Sequence, residues 1–198
     1  LPAAVQHTQR GGWNRYQFVG RELRGKNVNV VGLGRIGLQV AHILHAFGCK
    51  VGTCYGADVE RDALLAEADI VTIHADLNDT SRGMFDAERF AMMKPGALLV
   101  NTARGAIVDE AALLAALRSG RLAGAALDVT DPEPPSRELA TFAAENPQKL
   151  LLSPHLGGAT QEGQAASELA LARVLVEVLR DQAFEDYNAN IEWRGFEG

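Results

Sequence analysis

The stretch Gly32-Leu33-Gly34-Arg35-Ile36-Gly37 constrains this chain more than any other. It fits G-x-G-x-x-G, follows the short apolar run 28–31, and opens an apolar-periodic segment, 36–47, that predicts a helix. In a strand-turn-helix unit each glycine has its own task. Gly32 permits the tight turn, Gly34 lets backbone approach a pyrophosphate, and Gly37 lets the helix pack closely on the strand. Helix N–H groups without partners and the positive end of the helix dipole then hold the phosphates. A glycine-rich turn in some other α/β protein is the plainer alternative, but it does not require both flanking elements.

The rest of the chain repeats the alternation. Gly48 stops the first helix, and 50–55 predicts a second strand. A short helical turn at 62–67 precedes 70–74, whose β-branched residues predict a buried parallel strand. A helix over 86–92 ends before Lys94-Pro95-Gly96, and 97–101 is the next strand. Asp109 caps a helix at 110–119 with Gly120 beyond it, followed by a strand at 124–129. A proline-rich loop covers 131–135, a short strand 150–152, and a helix from about 160 to 180 closes the unit. The fold class expected is α/β, a doubly wound parallel sheet of the Rossmann dinucleotide-binding type. Residues 1–25 read as a connecting segment, 26–180 as the dinucleotide-binding domain, and 181–198 as an uninformative tail.

Composition narrows the partners. With 198 residues, 47% of them hydrophobic and 22% charged, the chain can bury one sizeable core. A net charge of -6 without any lysine or arginine cluster argues against nucleic acid. No apolar run approaches the roughly 20 residues that span a bilayer, and no signal arrangement opens the chain, so no membrane is expected and cytoplasm is the expected location. Cys49 and Cys54 are five apart, a spacing that suggests neither metal nor disulfide framework, and both read as small core residues. The histidines show no zinc-type pairing, so no metal is expected.

In such sheets the ligand lies beyond the carboxyl ends of the strands. Four stretches satisfy that rule: His74, the run Asn101-Thr102-Ala103-Arg104-Gly105, Asp128, and Pro154-His155-Leu156-Gly157-Gly158. Strand ends from both halves therefore converge on one crevice.

The runs Met93-Lys94-Pro95-Gly96-Ala97, 101–109, 123–129, Glu133-Pro134 and 153–160 resemble the D-2-hydroxyacid dehydrogenase family, which includes phosphoglycerate dehydrogenase and the glyoxylate or hydroxypyruvate reductases. The resemblance covers roughly residues 11 to 180. It implies that Arg104 is the catalytic arginine, Glu133 its acidic partner and His155 the catalytic histidine. The chemistry suits these types. Reducing a 2-oxo acid moves hydride to the carbonyl carbon while the developing alkoxide takes a proton, which an imidazole can give near neutral pH. A neighbouring carboxylate favours the imidazolium and orients the ring. An arginine can hold the substrate carboxylate and carbonyl oxygen by two parallel hydrogen bonds, which a lysine would not reproduce.

The resemblance also implies cofactor contacts around the glycine turn, from Gly32, Gly34, Arg35, Ile36 and Gly37, and further ones from Tyr55, His74, Thr102 and Ala103. Asp128 is expected to hydrogen-bond the nicotinamide carboxamide or else to cap the next segment, and Gly157 and Gly158 complete the set. Thr80 is a weaker contact, because Asp76 stands where the segment H-x-P-L-x-x-x-T has its proline.

The sequence departs from the family in two places. The acidic residue expected about 20 residues past the glycines falls on Tyr55, and the stretch 55–64 is short, as though a helix between two strands were absent. Loss of the acid would permit NADP, yet no basic residue stands at Tyr55 or Gly56 to bind its phosphate, so NAD is the expected cofactor with NADP as the alternative. Relatives carry roughly a hundred further residues before Leu1, forming most of a substrate domain. The chain without that domain is expected to bind dinucleotide but to turn over 2-oxo acids poorly. The expected partners are a small 2-oxo or 2-hydroxy acid and a second copy in a homodimer, with residues 1–25 as the dimer arm. Two other readings share the fold. One is a dinucleotide-sensing regulator similar to the C-terminal-binding-protein corepressors; the other is a formate dehydrogenase, against which Glu133 argues because that branch carries Gln there.

Overall fold

A computed structural model describes residues 2–54 and 59–180. These fall into two compact units, Leu1–His155 and Leu156–Gly198.

The first unit holds one parallel sheet. Its strands are β1 (Asn27–Val31), β2 (Lys50–Cys54), β3 (Ile70–Ile73), β4 (Ala97–Asn101), β5 (Leu122–Leu127) and β6 (Leu150–Leu152), in the order β2-β1-β3-β4-β5-β6. Every ladder is parallel. The helices are α1 (Pro2–Gln9), α2 (Arg35–Ala46), α3 (Val59–Glu67), α4 (Ala87–Met92), α5 (Glu110–Ser119) and α6 (Arg137–Glu145). The α/β doubly wound class expected from the alternation is the one observed.

The core follows from strand period and helix stripe together. Ala97, Leu99 and Asn101 of β4 point to one face, Leu98 to the other, and the first three are buried. Against that face α5 buries Leu113, Leu114, Ala116 and Leu117. Burying each leucine contributes about 2 kcal/mol before the opposing entropy is counted. Both ends of α5 are as expected: the Asp109 side chain accepts from Ala112 N–H at 2.9 Å, and Gly120 adopts φ +77° just past the last turn. The C-terminal end of α4 is closed differently. The Arg121 guanidinium donates to the carbonyls of Phe90 (3.1 Å), Ala91 and Met93 (2.5 Å), groups that a helix end leaves without partners.

Several boundaries differ from expectation. The strand expected at 124–129 is Leu122–Leu127: a register shift at Ala97/Leu98 pairs Leu122 with Ala97 and starts the strand earlier, while the ladder ends where Leu127 pairs with Asn101, the last residue of β4, leaving Asp128 beyond the strand. The strand expected at 70–74 ends at Ile73, and His74 begins the loop. The helical turn expected at 62–67 is a nine-residue helix, α3, that makes the crossover from β2 to β3. Helix α6 was hidden behind the prolines, although Ser136 caps it by accepting from Leu139 N–H at 3.1 Å. The segment before β1 is not a plain connection, since it contains α1 and a 3-10 turn at Arg15–Phe18.

The order 3-2-1-4-5-6 of a doubly wound sheet has a further strand outside its second. Among the described residues β2 is instead the edge strand, joined to β3 by α3 alone. The shortening read at 55–64 is thus a matter of sheet topology as well as length. Tyr55 itself lies outside the described residues.

The second unit contains α7 (Gln161–Arg180). Thr160 precedes it, its hydroxyl accepting from Gly163 N–H at 2.9 Å.

Candidate active site

The glycine turn divides its labour as its spacing implies. Gly32 has φ +93°, and a Cβ there would lie 2.6 Å from Ala75 N. A Cβ on Gly37 would lie 1.9 Å from the Gly32 carbonyl oxygen, so only hydrogen lets α2 seat against the end of β1. Gly34 is the opposite case: an added Cβ meets nothing within 4 Å, and no side chain caps the helix it precedes. The result is open space before the N-terminus of a twelve-residue helix that no side chain caps, the kind of position at which helix N–H groups hold phosphate. Arg35 and Ile36, the first residues of α2, are exposed.

Beside this turn lies a cleft of about 350 Å³ lined by Ile36, His74, Ala75, Asp76, Leu77, Thr102, Ala103 and Arg104. It sits past the carboxyl ends of β1, β3 and β4. Connections leave β1 toward β2 on one side while β3 lies on the other, which makes this the switch point of the sheet. His74 is half-buried, and its Nε2 shares a 2.9 Å hydrogen bond with Thr72 Oγ1. Burial pushes its imidazole below the ordinary value, toward the neutral form.

Arg104 is held by the residue that ends β4. Asn101 is fully buried, accepts Ala103 N–H on its Oδ1 at 3.0 Å and donates from Nδ2 to the Arg104 carbonyl at 2.9 Å. The Arg104 guanidinium is exposed and donates from Nη1 to the Ala103 carbonyl at 2.6 Å. Gly105 presses this loop onto the next one, for a Cβ there would lie 2.1 Å from the Thr130 carbonyl.

That neighbouring loop carries Glu133 between two prolines. Its Oε2 lies 3.0 Å from His155 Nδ1, and both side chains are about half exposed, at 45% and 48%. The hydrogen bond from His155 holds the Glu133 carboxyl below its ordinary range, so the carboxylate is the acceptor and Nδ1 carries the proton. Nε2 is then the ring atom left to exchange a proton with a ligand. His155 has φ +54°, an uncommon conformation for a residue with a side chain. It is kept there by its own N–H, which donates to the carbonyls of Asp128 (2.9 Å) and Ser153 (3.0 Å).

The sequence candidates thus separate into groups. Ile36, His74, Thr102, Ala103 and Arg104 share the cleft, while Glu133 and His155 form a pair past β5 and β6. Asp128 is buried and accepts the Ser153 hydroxyl at 2.5 Å, a hold consistent with either role weighed for it. Thr80 is not among the lining residues; its hydroxyl donates to Asn78 Oδ1 at 2.7 Å within its own turn. Gly157 and Gly158 belong to the second unit, in the turn before α7. Sequence reading placed Asn101 and Ser153 within candidate runs but did not foresee the hydrogen bonds by which they hold the Arg104 loop and Asp128, since those depend on strands brought together by the sheet. Among the described residues no group of three metal-ligating side chains is assembled, and no helix is long and apolar enough to cross a membrane.

Comparison with known proteins accords with this geometry. Residues 1–157 match the family described as D-isomer specific 2-hydroxyacid dehydrogenase, NAD binding domain. The chain is 37% identical over 195 residues to D-3-phosphoglycerate dehydrogenase of Rattus norvegicus, a match covering 92% of this chain and 36% of that protein. It therefore spans about a third of the length of the curated relatives it matches first. Among solved structures, a glyoxylate reductase from Paecilomyes thermophila superposes with TM-score 0.79 at 32% identity, over 89% of this chain and 56% of that one. An NAD-dependent formate dehydrogenase from Staphylococcus aureus, solved with NAD, superposes with TM-score 0.78 at 29% identity, over 90% and 56%.

Proposed function

Because this chain belongs to the D-isomer specific 2-hydroxyacid dehydrogenase family, in its NAD-binding domain, we propose that it serves the interconversion of a small 2-oxo acid and its D-2-hydroxy acid. The observation that carries this reading is the 3.0 Å Glu133–His155 pair, set on the strand ends next to the loop that presents Arg104. Gly32, Gly34 and Gly37 hold the pyrophosphate of NAD at the start of α2, and the cleft beside His74, Thr102 and Ala103 takes the nicotinamide half. Bound NADH supplies the hydride. Arg104 grips the substrate carboxylate and carbonyl oxygen, polarising the carbonyl. His155 gives its Nε2 proton to that oxygen as the carbonyl carbon becomes C–H, and takes another from solvent afterwards. Glu133 orients the ring and stabilises the imidazolium before transfer.

Residues 26–180 act as the dinucleotide-binding domain, and residues 1–25 as an arm in a homodimer, in line with the exposed Trp13 and Tyr16 on that segment. NAD is favoured over NADP because no basic residue stands at positions 55 and 56. A titration of the chain with NADH and NADPH, followed by NADH oxidation with glyoxylate, hydroxypyruvate and 3-phosphohydroxypyruvate, tests the whole reading. Tighter binding of NADH and turnover of at least one acid are expected. Binding of neither dinucleotide would overturn it.

A further inference from the structure

Asn101 makes contacts that a merely structural strand end does not need. It is 0% exposed, and all its polar groups described here serve the loop or the neighbouring strand. Its side chain closes the turn Thr102-Ala103-Arg104 from both ends: Oδ1 takes the Ala103 N–H at 3.0 Å, and Nδ2 donates to the Arg104 carbonyl at 2.9 Å. Its main-chain carbonyl accepts Asp128 N–H at 2.9 Å, and the Asp128 carbonyl in turn accepts His155 N–H at 2.9 Å. The loop it shapes also lies against Thr130 through Gly105, three residues before Glu133.

We propose that Asn101 is the positioning residue for substrate capture, setting the backbone from which Arg104 reaches the 2-oxo acid and linking that backbone to the strand end that holds His155. The inference rests on the functional reading above and adds to it a residue that touches neither substrate nor cofactor. An amide is the side chain required. It must accept at one end and donate at the other within a buried space, which no carboxylate, hydroxyl or aliphatic group of that size does. Fixing Arg104 at its backbone matters because its guanidinium is exposed and leans on the Ala103 carbonyl of the same loop. A misplacement of about 1 Å there can cost 10²-fold in rate.

Asn101→Asp keeps the acceptor for Ala103 N–H but sets an oxygen against the Arg104 carbonyl. Asn101→Ala, which removes both acceptor and donor without adding charge, serves where the first variant does not fold. In the full chain, the KM for the 2-oxo acid should rise at least about tenfold, with a smaller loss of NADH affinity because Thr102 and Ala103 line the cleft beside the loop. Amide hydrogen exchange should quicken over 102–108 and remain unchanged in α5. Because Asn101 acts through Arg104, combining either variant with Arg104→Lys should add little to the loss from Arg104→Lys alone. Additive losses, or unchanged exchange over 102–108 in a chain that turns over 2-oxo acids, would overturn the assignment of Asn101. A wild-type chain that binds NADH yet reduces no 2-oxo acid would overturn the functional reading instead, and exchange over 102–108 would still report whether Asn101 holds the loop.

Discussion

The Nδ1 of His155 and the Oε2 of Glu133 meet at 3.0 Å although the residues are 22 positions apart and belong to loops after different strands. With the carboxylate as acceptor, the contact keeps a proton on Nδ1 and fixes the ring against Glu133. Glu133→Gln keeps the size of the side chain and removes its charge. It should lower kcat for 2-oxo acid reduction by roughly 10²-fold with NADH affinity unchanged, as stopped-flow and fluorescence titration would show. Unchanged kcat would remove Glu133 from the chemistry.

Arg104→Lys keeps the charge and loses the planar fork. The KM for the 2-oxo acid should rise about tenfold to hundredfold, the value of a charged hydrogen bond, with little change in thermal midpoint because the side chain is exposed. Steady-state kinetics beside a melting curve measures both.

Gly34→Ala and Gly37→Ala should fail in different ways. At Gly37 the new methyl would meet the Gly32 carbonyl, costing about 1–3 kcal/mol or more of stability. At Gly34 it would meet nothing in the protein, so the melting curve should hold while NADH affinity drops at least about tenfold. Equal melting losses in the two variants would contradict the cradle.

Asp69 accepts Asn27 N–H at 3.0 Å and pairs with Lys94 Nζ at 2.6 Å, at the opposite end of the sheet from the cleft. The Lys94 hydrogen bond, with help from the Asn27 amide, holds its carboxyl below the ordinary value near 3.9. A depressed carboxylate stabilises the fold above its unfolded pKa, and that contribution disappears as pH falls through the folded value. Asp69→Asn should therefore cost about 1 kcal/mol at neutral pH and flatten the acid limb of stability below about pH 4. Urea unfolding at a series of pH values is the check.

Much of this protein was legible in local patterns. G-x-G-x-x-G after an apolar run specified turn, helix and cradle, because the tasks of Gly32, Gly34 and Gly37 are local to one strand-turn-helix unit. Asp109 and Gly120 marked the ends of α5 for the same reason. Helix α6 was obscured because its cap, Ser136, directly follows prolines that read as a continuing loop. The register shift that starts β5 at Leu122 depends on its partner strand, and no local pattern records it.

The sequence by itself determined the alternation of strands and helices and the glycine turn that opens α2, and family resemblance put forward Arg104, Glu133 and His155 as candidates. Tertiary structure decided which of these residues meet. A parallel sheet gathers strand ends that lie far apart in the chain, so the Glu133–His155 contact and the hold of Asn101 on the Arg104 loop exist only once β4, β5 and β6 are aligned. It also decided that β2 forms the edge of the sheet among the described residues, since a strand's neighbours follow from how crossovers pack and not from its own residues.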